Sequence, residues 1–192
     1  NMDIKKTKIT FYLWRYLWKH FKKIDVIDYK KSKYANLFII GSFAFSLLVG
    51  IVLITISGSF LNNGVENPLF LLGCFCYIII HEVIHLIFMK TFSKENIHIS
   101  FKFPTISVGS NAKFSKRQFL IVVLAPVIIL GILLALCIIF CPKKYTFFFN
   151  VLFILNFAGS GGDYLQAFVI RRYSAKTFFQ DNSIETIVYQ KN

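Results

Sequence analysis

The chain has 192 residues, 56% of them apolar, with 23 Phe and a formal net charge of +13. Its length allows one domain, and so apolar a composition excludes an ordinary soluble globular protein. The charge does not read as a nucleic-acid footprint, because the basic residues follow the apolar runs. Of the 22 Lys and Arg, ten precede the first run, six fall in 90–117, two lie between the third and fourth runs and four follow the last. None falls in 57–67, and only the Lys143–Lys144 pair interrupts the pattern. Positive loops face the cytoplasm. Both termini and the 90–117 loop are therefore expected inside, against an anionic inner leaflet, with no nucleic-acid partner.

Along the chain, residues 8–23, "KITFYLWRYLWKHFKK", come first and mix aromatic with basic side chains at helical spacing. That pattern predicts a helix lying in the membrane interface, within a basic segment spanning 1–35. It lacks the short apolar core and small-residue cleavage site of a signal peptide, so no cleavable leader is expected. Four runs then reach the roughly 20 residues that a transmembrane helix needs. They are Leu37–Ile56, Pro68–Met89, Phe119–Phe140 and Tyr145–Ile170. The expected fold is an all-α membrane protein with four transmembrane helices, an interfacial N-terminal helix and a short cytoplasmic β-hairpin. It forms one multi-pass unit over 1–192, with a membrane core at 36–170 and a cytoplasmic tail at 171–192.

The second run contains "HEVIH", with His81, Glu82 and His85 in an otherwise apolar segment. A charged side chain at the centre of a membrane helix costs about 2.5–3.5 kcal/mol or more, so such residues mark function. Histidines four apart share one helix face and can hold one metal ion, with the intervening Glu placed as a base. The loop that follows carries "NIHISFKFPTISVG", whose period-two alternation predicts strands over 97–108. His98 falls on its polar face. Pro126 in "VVLAPVIIL" predicts a kink in the third span. The four cysteines, Cys74, Cys76, Cys137 and Cys141, lie in or beside apolar runs and read as small buried hydrophobes.

The fourth run holds "NFAGSGGDYLQ". Of nine acidic residues in the chain, only Glu82 and Asp163 fall within apolar runs. Zinc with two His ligands takes a third protein ligand and leaves one position open. Asp163 fills that role. At 1.5 Å per residue, His85 and His81 lie about 7.5 and 13.5 Å above Lys90, and Asp163 lies about 12 Å above Arg171. The candidate ligands His81, His85 and Asp163 thus share one depth in the inner half of the membrane. Asn156, seven residues before Asp163, is expected on the same helix face, as a group that holds substrate or an oxyanion.

A membrane HExxH helix followed two spans later by a Gly-flanked Asp resembles the site-2 intramembrane metalloproteases. The layout is more similar still to the small putative zincin peptidase family. "HEVIH" in the second span, a strand-bearing loop, "LAP" in the third span and "GGD" in the fourth carry the likeness over about 70–170. The chain keeps Asn156 and Asp163 of the site-2 pattern. It lacks the intervening Pro, and Tyr164 stands where a Gly follows the Asp. The resemblance implies a Zn2+ peptidase acting on membrane-embedded or signal-peptide-like substrates. The alternative reading is a non-enzymatic accessory or transporter component with a structural metal, which would not need Glu82. In a variant without the native cysteines, a cysteine introduced at Ser32 or Ser183 should stay protected from impermeant thiol reagents in intact cells. Labelling of either from outside would overturn this topology.

Overall fold

The computed structural model describes residues 21–28, 32–56, 68–102, 105–183 and 185–191. In chain order these form β1 (Phe21–Ile27), α1 (Lys33–Ile56), α2 (Pro68–Phe92), β2 (Ile97–Lys102), β3 (Thr105–Ser110) and β4 (Phe114–Ser115). Then come α3 (Lys116–Phe140), a 3-10 turn (Lys143–Tyr145), α4 (Thr146–Gly159), α5 (Gly161–Ile170), β5 (Thr177–Asp181) and β6 (Thr186–Lys191). The protein is mostly helical.

Three helices, α1, α2 and α3, are long and apolar enough to cross a membrane. Their outward faces stay apolar: Leu37, Ile40, Phe45 and Leu48 on α1 and Leu71 and Phe75 on α2 are all exposed. A continuous apolar exterior of this kind is stable against lipid rather than water, as expected of a membrane protein. α3 lies innermost and buries Phe119, Val122, Pro126, Leu130 and Leu134 along one stripe at helical spacing. Its N-terminus is fixed by a capping box. The Ser115 hydroxyl accepts from the Gln118 N–H, and the Gln118 side chain accepts from the Ser115 N–H.

The fourth expected span, Tyr145–Ile170, is not one helix. It breaks at Ser160 into α4 and α5, of 14 and 10 residues. The break has local and tertiary causes. The Ser160 hydroxyl donates to the Asn156 carbonyl at 2.7 Å, inside a Gly-Ser-Gly-Gly run of low helix propensity. Gly161 lies hard against α1, where a Cβ would sit 2.6 Å from the Ser42 hydroxyl and 3.3 Å from the Ile39 carbonyl. Ser160 and Gly161 are buried within protein, the setting in which broken helices are tolerated at membrane depth.

The expected hairpin forms as β2 and β3, with Ile99 opposite Val108. A second sheet was not expected and corrects the all-α reading. Its order is β1-β6-β5-β4, with every pairing antiparallel. The expected interfacial helix over 8–23 lies largely outside the described residues, and its last three, Phe21, Lys22 and Lys23, belong to β1. Residues 171–192, expected as a tail, supply the two central strands β5 and β6. Phe21 pairs with Lys191, which brings both ends of the described chain together. Phe114, Phe119, Phe179, Ile170 and Val188 form a core between the sheet and the adjoining ends of α3 and α5. A second core, around Tyr77, Ile84, Leu130 and Leu152, lies within the helices.

Candidate metal centre and its cavity

The two histidines of "HEVIH" project from one face of α2, with ring centroids 5.1 Å apart. Asp163 meets them from the first turn of α5. One carboxylate oxygen lies 3.2 Å from His81 Nε2 and the other 3.5 Å from His85 Nε2. One ligand atom from each residue falls within 4.8 Å of the others. Bonds of about 2.0–2.2 Å from zinc to nitrogen and oxygen place tetrahedral donors about 3.4 Å apart. Each imidazole nitrogen lies at about that spacing from one carboxylate oxygen, a different oxygen for each histidine, and the donor set of two imidazoles and a carboxylate suits zinc. The helix break contributes directly, because it places Asp163 at a helix N-terminus, where the backbone dipole favours a carboxylate.

His85 is oriented from behind. Its Nδ1 donates to the Val122 carbonyl at 2.8 Å. A carbonyl can only accept, so Nδ1 carries the hydrogen, and Nε2 is the nitrogen left to face Asp163 and to bind a metal ion. That carbonyl is free for a reason written in the sequence. Val122 is four residues before Pro126, whose nitrogen has no hydrogen to complete the helical bond. The proline expected to kink this span therefore supplies an acceptor for a candidate ligand, the outer-shell support that metal-binding histidines commonly need.

Glu82 faces a cavity of about 300 Å³ that also takes in His85 and Asp163. The backbone N–H of Val108 on β3 points to its carboxylate. The opposite wall comes from the β5–β6 hairpin, with Asp181, Ser183, Glu185 and Thr186. Gly109 permits this approach, because a Cβ there would collide with the backbone of Asn182 and Ser183. The Asp181 carboxylate accepts from the Ser183 N–H at 2.8 Å and the Gln166 amide at 3.3 Å. Burial nevertheless pushes its pKa up to about 6.

Asn156 is placed differently from the sequence expectation. It is fully buried, accepts from the Tyr77 hydroxyl at 2.9 Å and donates to the Val127 carbonyl at 2.9 Å. It clips α4 to α2 and α3, and it is not among the residues found lining the cavity. A seven-residue spacing puts two side chains on one face only of a continuous helix, and the break at Ser160 lies between Asn156 and Asp163. Asp181 was missed because nothing in "TFFQD" reveals that its acid turns inward. All four cysteines are free thiols, and His98 is exposed.

The family described as putative zincin peptidase matches residues 74–178, more than half of the chain, and the chain belongs to that family. The match spans the HExxH helix, the β2–β3 hairpin, α3, α4 and α5. No curated protein and no solved structure matches. Family membership implies zinc, and His81, His85 and Asp163 are the residues that would hold it.

Pro126→Ala should restore an N–H for the Val122 carbonyl and compete with His85. Zinc affinity should fall by about tenfold or more, as for loss of other outer-shell partners. Helix stability should rise rather than fall, because Ala is about 3 kcal/mol better than Pro in a helix interior. Competition with a chelator and a thermal melt on the same preparation check both signs. Unchanged zinc affinity would contradict the orienting role of the freed carbonyl.

Proposed function

We propose that this family member is an intramembrane zinc metallopeptidase that hydrolyses a peptide bond in a membrane-embedded or signal-peptide-like substrate. The observation that carries the reading is the convergence of His81, His85 and Asp163 on one point, with Glu82 facing the same cavity. A metal used only for structure has no need of that fourth group. Zinc held there supplies Lewis acidity that makes water a nucleophile near neutral pH.

The chain's own residues then divide the work. Glu82 takes a proton from the attacking water and returns it to the leaving amine. The Val108 N–H fixes the direction of its carboxylate. Val122, through its carbonyl, and the N-terminal turn of α5 keep His85 and Asp163 in place. Asn156 acts at a distance, by locking α4 against α2 and α3.

A substrate helix hides its carbonyls in internal hydrogen bonds and must be extended before attack. β3 lines the cavity with Ile106, Ser107 and Val108, and within its two-stranded sheet it pairs only with β2. Its other edge offers a place for an extended substrate segment to pair. The natural substrates on this reading are single-span membrane proteins or signal-peptide remnants. On this reading the sheet, both termini and the cavity mouth lie on the cytoplasmic side, beside anionic lipid, which the distribution of basic residues supports. Water then has a short path from the cytoplasm.

Glu82→Gln separates this reading from an accessory role. Gln keeps the shape of Glu but cannot act as a base. Cleavage of a membrane substrate in cells should fall by about 100-fold or more, on the usual scale of general-base loss. Zinc content and folding should stay near those of the unmodified protein. Full complementation by Glu82→Gln in cells lacking the wild-type protein would replace the peptidase reading with a non-enzymatic one.

A further inference from the structure

The cavity is acidic in a chain that is otherwise strongly basic. Four of the nine acidic residues, Glu82, Asp163, Asp181 and Glu185, line it. None of the 22 Lys and Arg is found in its wall among the described residues. Two of the four acids have work in the centre described above. A divalent ion with Asp163 and Glu82 is locally neutral, so the charge on Asp181 and Glu185 is left over. Both belong to the β5–β6 end of the cavity, beyond the residues that match the family.

A second observation points to a ligand at that end. Thr186 pairs directly with Asp181 across the hairpin. It is fully buried and lines the same cavity, and its hydroxyl has no hydrogen-bond partner among the described residues. Buried hydroxyls are almost always satisfied, so an orphan at a cavity wall calls for a donor or acceptor from outside. The groups held on Asp181 are neutral, namely an amide and a backbone N–H. Its raised pKa fits a carboxylate buried without a cation.

We infer that the Asp181–Glu185–Thr186 end of the cavity is a specificity subsite for a cationic side chain of the substrate, a lysine or arginine close to the scissile bond. The ammonium or guanidinium sits against the Asp181 carboxylate. Glu185 adds field at the rim, and Thr186 Oγ1 accepts one of the remaining N–H groups. Gln166, donating from α5 three residues after Asp163, ties the subsite to the metal-binding helix. The cavity has room for one long side chain beside an extended backbone. The inference rests on the peptidase reading and adds the chemistry that selects the bond. It favours cleavage near the cytoplasmic end of a substrate span, where basic residues collect.

The test uses the full chain in nanodiscs and internally quenched peptides with acetylated N-termini. The peptides differ only in carrying Lys or the isosteric, neutral norleucine at each position flanking the cleaved bond. At one position Lys should improve kcat/KM by about tenfold or more, mainly through KM, as for a partly desolvated charge pair. In Asp181→Asn the Lys-to-norleucine ratio should fall to within about twofold. Thr186→Val and Glu185→Gln should reduce the ratio part-way, and they read the same subsite if Asp181→Asn does not fold. A free N-terminus in place of Lys should not reproduce the preference; if it does, the subsite reads a terminal amine and the side-chain assignment is overturned. Equal kcat/KM for both peptides in the wild type overturns the inference. So does an Asp181→Asn variant that lowers kcat equally on both. If no peptide is cut, the peptidase reading fails separately. Binding of the same pair to metal-free protein, measured by isothermal titration, then decides the subsite, with equal affinity counting against it.

Discussion

A carboxylate clasped between two imidazoles inside an apolar helix bundle sets the terms for the rest of this molecule. Such groups are costly in so apolar a bundle, and Asp163 and His85 each have a structural device that offsets the cost. Asp163 has the N-terminus of α5, and α5 has an N-terminus there only because the fourth span breaks at Ser160. The break is held by Ser160 on the Asn156 carbonyl and by Gly161 against α1. His85 has the Val122 carbonyl, free because Pro126 cannot donate. Features that look like helix defects, a proline in α3 and three glycines around Ser160, are the means by which polar groups are satisfied without water.

The sheet solves a different problem. The helices alone do not enclose the cavity beside His85 and Asp163, which also takes lining residues from the strands. β3 and the β5–β6 hairpin supply two of its walls, and Gly109 lets them touch. β1 and β4 flank β6 and β5, and their shared core fixes the sheet to α3 through Phe119 stacked on Phe179 at 5.6 Å. Segments from the start, middle and end of the chain thus form one cap on one end of the helices.

Much of the centre was legible in the sequence, because local chemistry encodes it. Four-residue spacing on a helix brings His81 and His85 together, and the scarcity of acids in apolar runs singles out Asp163. The hairpin, expected over 97–108, followed from the alternation of its first strand, and its second strand runs on to Ser110. What the sequence concealed depends on contacts between distant residues. The β1–β6 ladder pairs residue 21 with residue 191, and no local pattern foretells such a pairing. A glycine run such as that before Asp163 weakens a helix, but a clean break also needs the close approach of α1. Once that break is known, the seven-residue spacing from Asn156 loses its meaning, and Asn156 becomes an interhelical clip. Asp181 shows the same limit from the other side: an acid in a short polar-looking tail is drawn inward only by the sheet that the tail completes.

The central claim is that His81, His85 and Asp163 form one zinc site. Elemental analysis of the purified full chain tests it most directly, alongside His81→Ala and Asp163→Ala prepared in the same way. The account predicts about one equivalent of zinc in the unmodified protein, as for a three-ligand catalytic site. It predicts a sharp loss in each variant while the helical content is retained. Full retention of zinc in both variants would contradict it.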